Sequence, residues 1–270
     1  MSHANPPTTN ADDAAAVLCS VEAGIATLTL NRPTRYNTLT SAVIAALSAQ
    51  LTTLASRADV RVVILAATGK AFSTGHDLKE MNAHRDAAFY RQLFADCARM
   101  MQAIVALPQP VIAQVQGIAT AAGCQLVASC DLGVAARSAR FATNGIQNGL
   151  YCATPSVALS RVVSRKHALA MLLTGDFIAA ERAAQIGLVN EVVDDDQLTA
   201  ATRALAGRIA DKSQFAIRLG KASFYRQAGQ SLDTAYRGTS EDLVCNLLAA
   251  DGIEGLSAFI EKRPPQWQDR

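Results

Sequence analysis

An α/β fold completed by a helical C-terminal segment is what the sequence predicts, on three observations. The chain opens on two alternating apolar segments around a glycine turn. An apolar run that passes through a glycine-punctuated loop into a helix occurs twice between residues 61 and 129, and beyond about residue 153 helical periodicity takes over almost entirely. Half of the 270 residues are hydrophobic and 18% are charged, a composition that excludes a disordered chain. A chain of this length buries roughly 70 to 75% of its unfolded surface, so it needs no staple of disulfides or metal.

In order along the chain, Val17 to Glu22 and Ile25 to Leu30 flank Ala23-Gly24 as a β-hairpin. Thr40 is placed to cap a helix through Ala55, with Val43, Leu47, Leu51 and Leu54 on one stripe. Arg61 to Ala66 reads as a buried strand, followed by a loop from Thr68 to Asp77. A helix over Ala87 to Ala106 is stopped by Pro108 and Pro110, and a strand over Val111 to Gln116 leads through Gly117 into a helix at 122–129. Short strands are expected at Leu132 to Ala136 and Ala139 to Thr143. Helices then follow at 154–163, 165–173, 179–186, 196–211, 214–228, 231–249 and 252–261, with one strand at Leu188 to Val193. This places a disordered tail at 1–14, an α/β core at 15–200 and a helical segment at 201–270, whose Leu232, Tyr236, Leu243, Leu247 and Leu248 form an apolar face suited to a neighbouring subunit. No fixed-period repeat is visible.

Twenty-five Lys and Arg against twenty-three Asp and Glu leave a net charge of +2, too little for nucleic acid or an anionic membrane, and the helix from residue 87 carries only Arg91 and Arg99 as cations. The expected partner is a small molecule. Six scattered cysteines without a CxxC pair argue against zinc and for a reducing compartment. The first fifteen residues lack the marks of a signal or transit peptide, so the expected location is cytoplasmic. Runs such as Val62 to Ala67 are far shorter than the roughly 18 residues of a membrane span.

Two segments bring backbone N–H groups to a strand end: Ser73-Thr-Gly-His-Asp77, and Thr120-Ala-Ala-Gly123 at the mouth of a helix. Two such donors facing one another make an oxyanion hole. The sequence resembles the enoyl-CoA hydratase/isomerase (crotonase) family through Asn31-Arg-Pro with Asn37 and Leu39, Ala71-Phe-Ser-Thr-Gly-His-Asp-Leu-Lys-Glu-Met81, and Gln116-Gly117 to Gly123-Cys-Gln-Leu-Val-Ala-Ser-Cys-Asp131. Phe141-Ala-Thr, Leu173-Thr-Gly175, Gly187-Leu-Val-Asn-Glu-Val-Val193 and Ala258-Phe-Ile-Glu-Lys-Arg263 extend the likeness. Thr154-Pro, Arg165-Lys166 and Gly220-Lys-Ala-Ser-Phe-Tyr225 point to one subgroup within it.

The resemblance implies a spiral of ββα units, homotrimers or hexamers (dimers of trimers) packed through C-terminal helices, and a CoA thioester as substrate with no further cofactor and no metal. It places the thioester oxygen between the N–H groups of His76 and Ala122, with Gly75, Gly123 and Tyr151 among the substrate-binding residues. It places the CoA moiety on Thr34, Arg35 and Tyr36, on Ser73, Thr74, Asp77 and Leu78, and on Phe259 and Lys262.

The two glutamates that hold and activate water in the family's hydratases are replaced here by Gln125 and Gly145. An amide holds water without acting as a base, and glycine offers nothing. The expected activity is therefore enolate stabilisation on an acyl-CoA rather than ordinary hydration. Decarboxylation like that of the family's methylmalonyl-CoA decarboxylases, thioester hydrolysis, and acyl-CoA binding without catalysis remain alternatives. His76 is a candidate proton carrier, against a role in which its ring bonds to neighbouring backbone. Asp77 is expected to cap its loop, Asp131 to anchor a strand start, and Trp267 to cover a neighbouring subunit.

Overall fold

The structure is a computed structural model that describes residues 16–270; the tail expected at 1–14 lies outside the described residues. The hairpin forms as β1 (Val17–Glu22) and β2 (Ile25–Leu30), paired antiparallel around Ala23-Gly24. Thr40 caps α1 (Ser41–Ala55) by accepting the Val43 N–H. Three ββα turns follow. The first is β3 (Val62–Ala67), β4 (Ala71–Ser73), α2 (Leu78–Ala83) and α3 (Ala87–Ala106); the second is β5 (Val111–Val115), β6 (Ile118–Thr120) and α4 (Ala122–Ser129); the third is β7 (Leu132–Ala136), β8 (Arg140–Ala142), a 3-10 turn over Asn144–Asn148 and α5 (Ala153–Val162). The chain continues through α6 (Arg165–Thr174), β9 (Ile178–Ala179), α7 (Ala180–Gln185), β10 (Glu191–Val193), α8 (Leu198–Ala210), α9 (Gln214–Gln227), α10 (Leu232–Leu248) and α11 (Ala250–Glu261).

Each turn of the spiral gives one strand to a six-stranded sheet, ordered β1-β2-β3-β5-β7-β10, and one to a four-stranded sheet, ordered β4-β6-β8-β9. From β2 to β10 the large sheet is parallel, and both of its faces are covered. Val63 and Leu65 of β3 pack towards α1 and α3, while Val62 and Ile64 pack towards Leu198 and Ala206 of α8. This two-sided burial explains why β3 reads as a continuous apolar run. The repeat escapes a period search because its turns begin at residues 62, 111 and 132, with helices of very different length between them.

Three strands were not expected. β4, β6 and β9 are two or three residues long, too short to show alternation, and β4 lies inside what reads as loop. The expected strand at Leu188 to Val193 shrinks to Glu191–Val193, because Gly187 at φ +86° and the Leu188 N–H bond to Ala183 O belong to the end of α7.

The last helices are attached mainly by polar contacts. Lys221 of α9, with 8% of its side chain exposed, reaches Ile104 O (3.2 Å), Gln109 O (3.1 Å) and Asp131 Oδ2 (2.7 Å). Tyr225 donates to Asp131 Oδ1 at 2.8 Å, and Asp131 also accepts the Val111 N–H at 2.6 Å, the strand-anchoring role expected of it. Arg61 meets Asp269 at 2.7 Å and Ala210 O at 2.7 Å. Trp267 does not wait for a neighbouring subunit: it packs on Gly255 of its own chain and donates to Asp211 O at 3.0 Å, which closes the tail onto α8 and α11. None of the 17 residues of α10 is buried, and Leu232, Tyr236, Leu243 and Leu248 stand exposed. Among the described residues no single helix is long and apolar enough to cross a membrane; α10 and α11 pass that test only jointly, as a pair bent by 72°.

Three substitutions test this packing. Gly123→Ala puts its Cβ 2.0 Å from Ser73 O, so chemical denaturation is expected to show a loss of about 3 kcal/mol or more. Gly207→Ala, with open space around it in α8, is expected to gain about 0.5–1 kcal/mol from helix propensity. Lys221→Met strands the Asp131 carboxylate in a site 14% exposed and is expected to cost about 3 kcal/mol in the same measurement.

Candidate active site

β4 and β6 are parallel neighbours, and the backbone just beyond their ends is drawn together. Asn37, 2% exposed and at φ +51°, is the tie: its Nδ2 donates to Thr68 O (2.9 Å) and Ala71 O (2.8 Å), and its Oδ1 accepts the Arg32 N–H at 2.7 Å. Ser73 Oγ donates to Asn37 O at 2.8 Å, and Leu39 N–H to Gly75 O at 2.8 Å. Across the gap, Ala121 adopts φ 49°, ψ −119°, a region that L-residues rarely enter, and its N–H is held by Ala142 O at 3.0 Å. A Cβ on Gly75, itself at φ +84°, would lie 2.9 Å from the Ala122 nitrogen. The loops therefore touch backbone to backbone.

Ala122 begins α4, whose N-terminus has no side-chain cap. Among the described residues no acceptor meets the backbone N–H of His76 or of Ala122. Unpaired donors at a helix start carry the positive end of the helix dipole. They border a half-open cleft of about 900 Å³.

Of the residues singled out in the sequence, Thr34, Arg35, Tyr36, Thr74, His76, Asp77, Leu78, Ala122, Gly145 and Tyr151 line this cleft together. Ser73, Gly75 and Gly123 do not: they are buried behind it and act by letting the loops close, which corrects the ligand contact expected of them. Gln125 is also outside the lining, 5% exposed, with its Oε1 unpartnered. Phe259, 82% exposed, and Lys262 at the end of α11 lie away from the cleft of the single chain. Met81 and Phe94 on one wall, and Asn144, Asn148, Leu150, Pro155 and Phe177 on the other, were not foreseen. Much of that second wall comes from the 3-10 turn and the residues after it, a segment with no periodicity to read.

Burial pulls the His76 pKa below its ordinary value, with the nearby Leu39 backbone opposing in part. The ring sits edge-on to Phe94, centroids 5.5 Å apart, and both nitrogens are buried without a hydrogen-bond partner of full geometry. The ring faces the Leu39 backbone, the kind of neighbour expected of it, short of full hydrogen-bond geometry, and its nitrogens are buried from the cleft surface. Partial burial pushes the Asp77 carboxyl up, but donors from Glu80, Lys79 and Thr38 outweigh it and hold the pKa below the usual range. Asp77 thus caps α2, as the sequence suggests. Burial raises the Cys152 thiol, the Gly145 backbone opposing in part, and pushes Cys124, wholly inside, up to about 12.

Gly145 is not a vacant glutamate position. A Cβ there would lie 2.5 Å from Leu150 O and 2.9 Å from Cys152 Sγ, so the chain fills the space a longer side chain would need.

The enoyl-CoA hydratase/isomerase family profile matches residues 20–270. A Xenopus laevis protein named enoyl-CoA hydratase domain-containing protein 3, mitochondrial, is 47% identical over 246 residues, 91% of this chain and 84% of its own. The crystal structure of the human protein of that name superposes with a TM-score of 0.91 at 44% identity, covering 93% of this chain and all of that one. A crystal structure of an enoyl-CoA hydratase from Mycobacterium smegmatis gives 0.92 at 51% identity, with 93% and 98% covered. A spiral of ββα turns, paired glycine loops at the strand ends and a match over nearly the whole described chain agree, and the chain belongs to the enoyl-CoA hydratase/isomerase family.

Proposed function

We propose that the protein acts on an acyl-CoA thioester by holding the enolate oxygen between the N–H groups of His76 and Ala122. The observation that carries this reading is the pair of acceptor-free donors brought to one cleft by the Gly75 and Ala121 backbones. Fixed dipoles in a site partly closed to water stabilise charge that appears only as the reaction proceeds, and one such donor is typically worth about 2.7–4 kcal/mol of barrier. Arg35 and Lys79 on the cleft lining supply positive charge for the CoA phosphates, and no further cofactor is needed.

The reading excludes efficient hydration by the usual two carboxylates. Gln125 is not on the cleft wall, Gly145 is walled off by Leu150 and Cys152, and Asp77, the only lining carboxylate among the described residues, is committed to capping α2. The same observations favour, as a second reading, an acyl-CoA-binding protein that has lost catalysis. Decarboxylation and thioester hydrolysis also use an oxyanion hole without those glutamates, and the experiment below tells them apart.

The exposed apolar residues of α10 and α11 fit burial in a homotrimer or hexamer, and Phe259 and Lys262 would then meet a nucleotide only across a subunit boundary. The division into a core at 15–200 and an arm at 201–270 suits that assembly. Six free cysteines fit a reducing compartment, here taken as the cytoplasm; the curated relatives carry mitochondrial names.

Ala122→Pro removes one donor while leaving the first helical position acceptable to proline. Incubated with mixed acyl-CoAs in heavy water and followed by mass spectrometry, the folded variant is expected to lose turnover by about 100-fold or more; turnover at the wild-type rate sinks the assignment. In the same assay hydration would add the mass of heavy water, decarboxylation would release CO₂ and hydrolysis would free CoA. An unchanged pool that stays bound favours the second reading. Gln125→Glu combined with Gly145→Glu is expected to bring no hydration of crotonyl-CoA and to destabilise the protein, because residue 145 has no room for a side chain. A gain in hydration would show instead that the 150–152 segment gives way.

A further inference from the structure

We infer that Cys152 is a catalytic residue whose thiol exchanges a proton with Cα of the thioester enolate held at the His76 and Ala122 N–H groups. This rests on the enolate reading above and supplies the proton carrier that the reading lacks.

Position is the first argument. Cys152 lines the cleft together with Ala122 and His76, yet is only 8% exposed, so a proton passed from it is sheltered from bulk water. Its Sγ lies 2.9 Å from where a Cβ on Gly145 would stand, and thus takes the space of a side chain that the family's hydratases use for acid–base work. The cleft that it lines has room for a ligand, about 900 Å³ bordered by two donors without acceptors.

Elimination is the second. Asp77 spends Oδ1 on the Lys79 and Glu80 N–H groups and Oδ2 on Thr38. The ring nitrogens of His76 are sealed from the cleft. Gln125 has no titratable group and is not on the wall, and the Arg35 guanidinium offers donors only. Tyr36 is 55% exposed, Tyr151 47% exposed and Lys79 is exposed as well, which leaves their polar heads in competition with water. Burial raises the Cys152 pKa, so the sulfur carries its proton at neutral pH, the state a donor to an enolate requires. Cys124 is buried behind it and is not on the cleft surface.

The step balances within the site. The S–H bond breaks as the enolate C=C electron pair forms Cα–H, the charge on oxygen returns to the thioester carbonyl, and the thiolate takes a proton from water. In reverse, the minor thiolate fraction removes the Cα proton and the pair moves back onto the oxygen. No oxidant, metal or covalent acyl-enzyme takes part.

The test uses the full chain with butyryl-CoA and octanoyl-CoA in heavy water, reading deuterium at Cα by mass spectrometry and binding by calorimetry. Wild type is expected to label at least one of the two, and Cys152→Ser to bind it equally well while labelling it about 100-fold more slowly. Should the serine variant fold poorly, methylthiolation of wild-type Cys152 gives the same comparison: labelling falls, then returns on reduction with dithiothreitol. Labelling unchanged by either treatment, but lost in Ala122→Pro, overturns the thiol and leaves the oxyanion reading standing. Labelling unaffected by Ala122→Pro overturns the reading itself, and bound thioesters that wild type never labels overturn both.

Discussion

A contact between two stretches of backbone underlies everything else in this molecule. The strand end at Ser73 and the first turn of α4 approach so closely that a methyl group on Gly123 would lie 2.0 Å from a carbonyl oxygen, and one on Gly75 would lie 2.9 Å from the Ala122 nitrogen. Side chains cannot do this, because their bulk would hold the two segments apart. The approach turns two ordinary loop N–H groups into donors on one cleft, and it holds Ala121 in a conformation it would not choose alone. The polar ties of Asn37, its own bonds to Thr68 and Ala71 and the one it receives from Ser73, hold the adjoining loop against that strain.

Long elements could be read from the sequence because their signals are local. Thr40 and Asp86 cap their helices, Pro108 and Pro110 follow one end, and the two-sided burial of β3 leaves an uninterrupted apolar run. The small sheet was invisible for the opposite reason. β4 and β6 have three residues each, and what makes them strands is pairing with one another across dozens of intervening residues. The donors at His76 and Ala122 could be named because small residues and glycines at strand ends carry a physical meaning, strengthened by family resemblance. The far wall could not, since Asn144, Leu150 and Phe177 meet only through tertiary folding.

Roles moved even where positions held. Ser73, Gly75 and Gly123 were expected at the ligand and instead make the ligand's site possible. Gln125 and Gly145 looked like simple losses of a carboxylate. The packing of Leu150 and Cys152 over Gly145 makes the second a reshaping of the wall, so a single substitution does not reverse it. Lys221 and Tyr225, which drew notice only as parts of a subgroup motif, turn out to secure the C-terminal arm to Asp131.

That arm has a thermodynamic consequence. A helix of 17 residues with none buried contributes little to the stability of an isolated chain, and its leucines remain in water until something covers them. Whatever covers them binds only the folded form, so its concentration enters the unfolding equilibrium directly. Where that covering surface is a second copy of the chain, as proposed above, dilution acts as a denaturant in its own right and a melting temperature has meaning only beside a protein concentration.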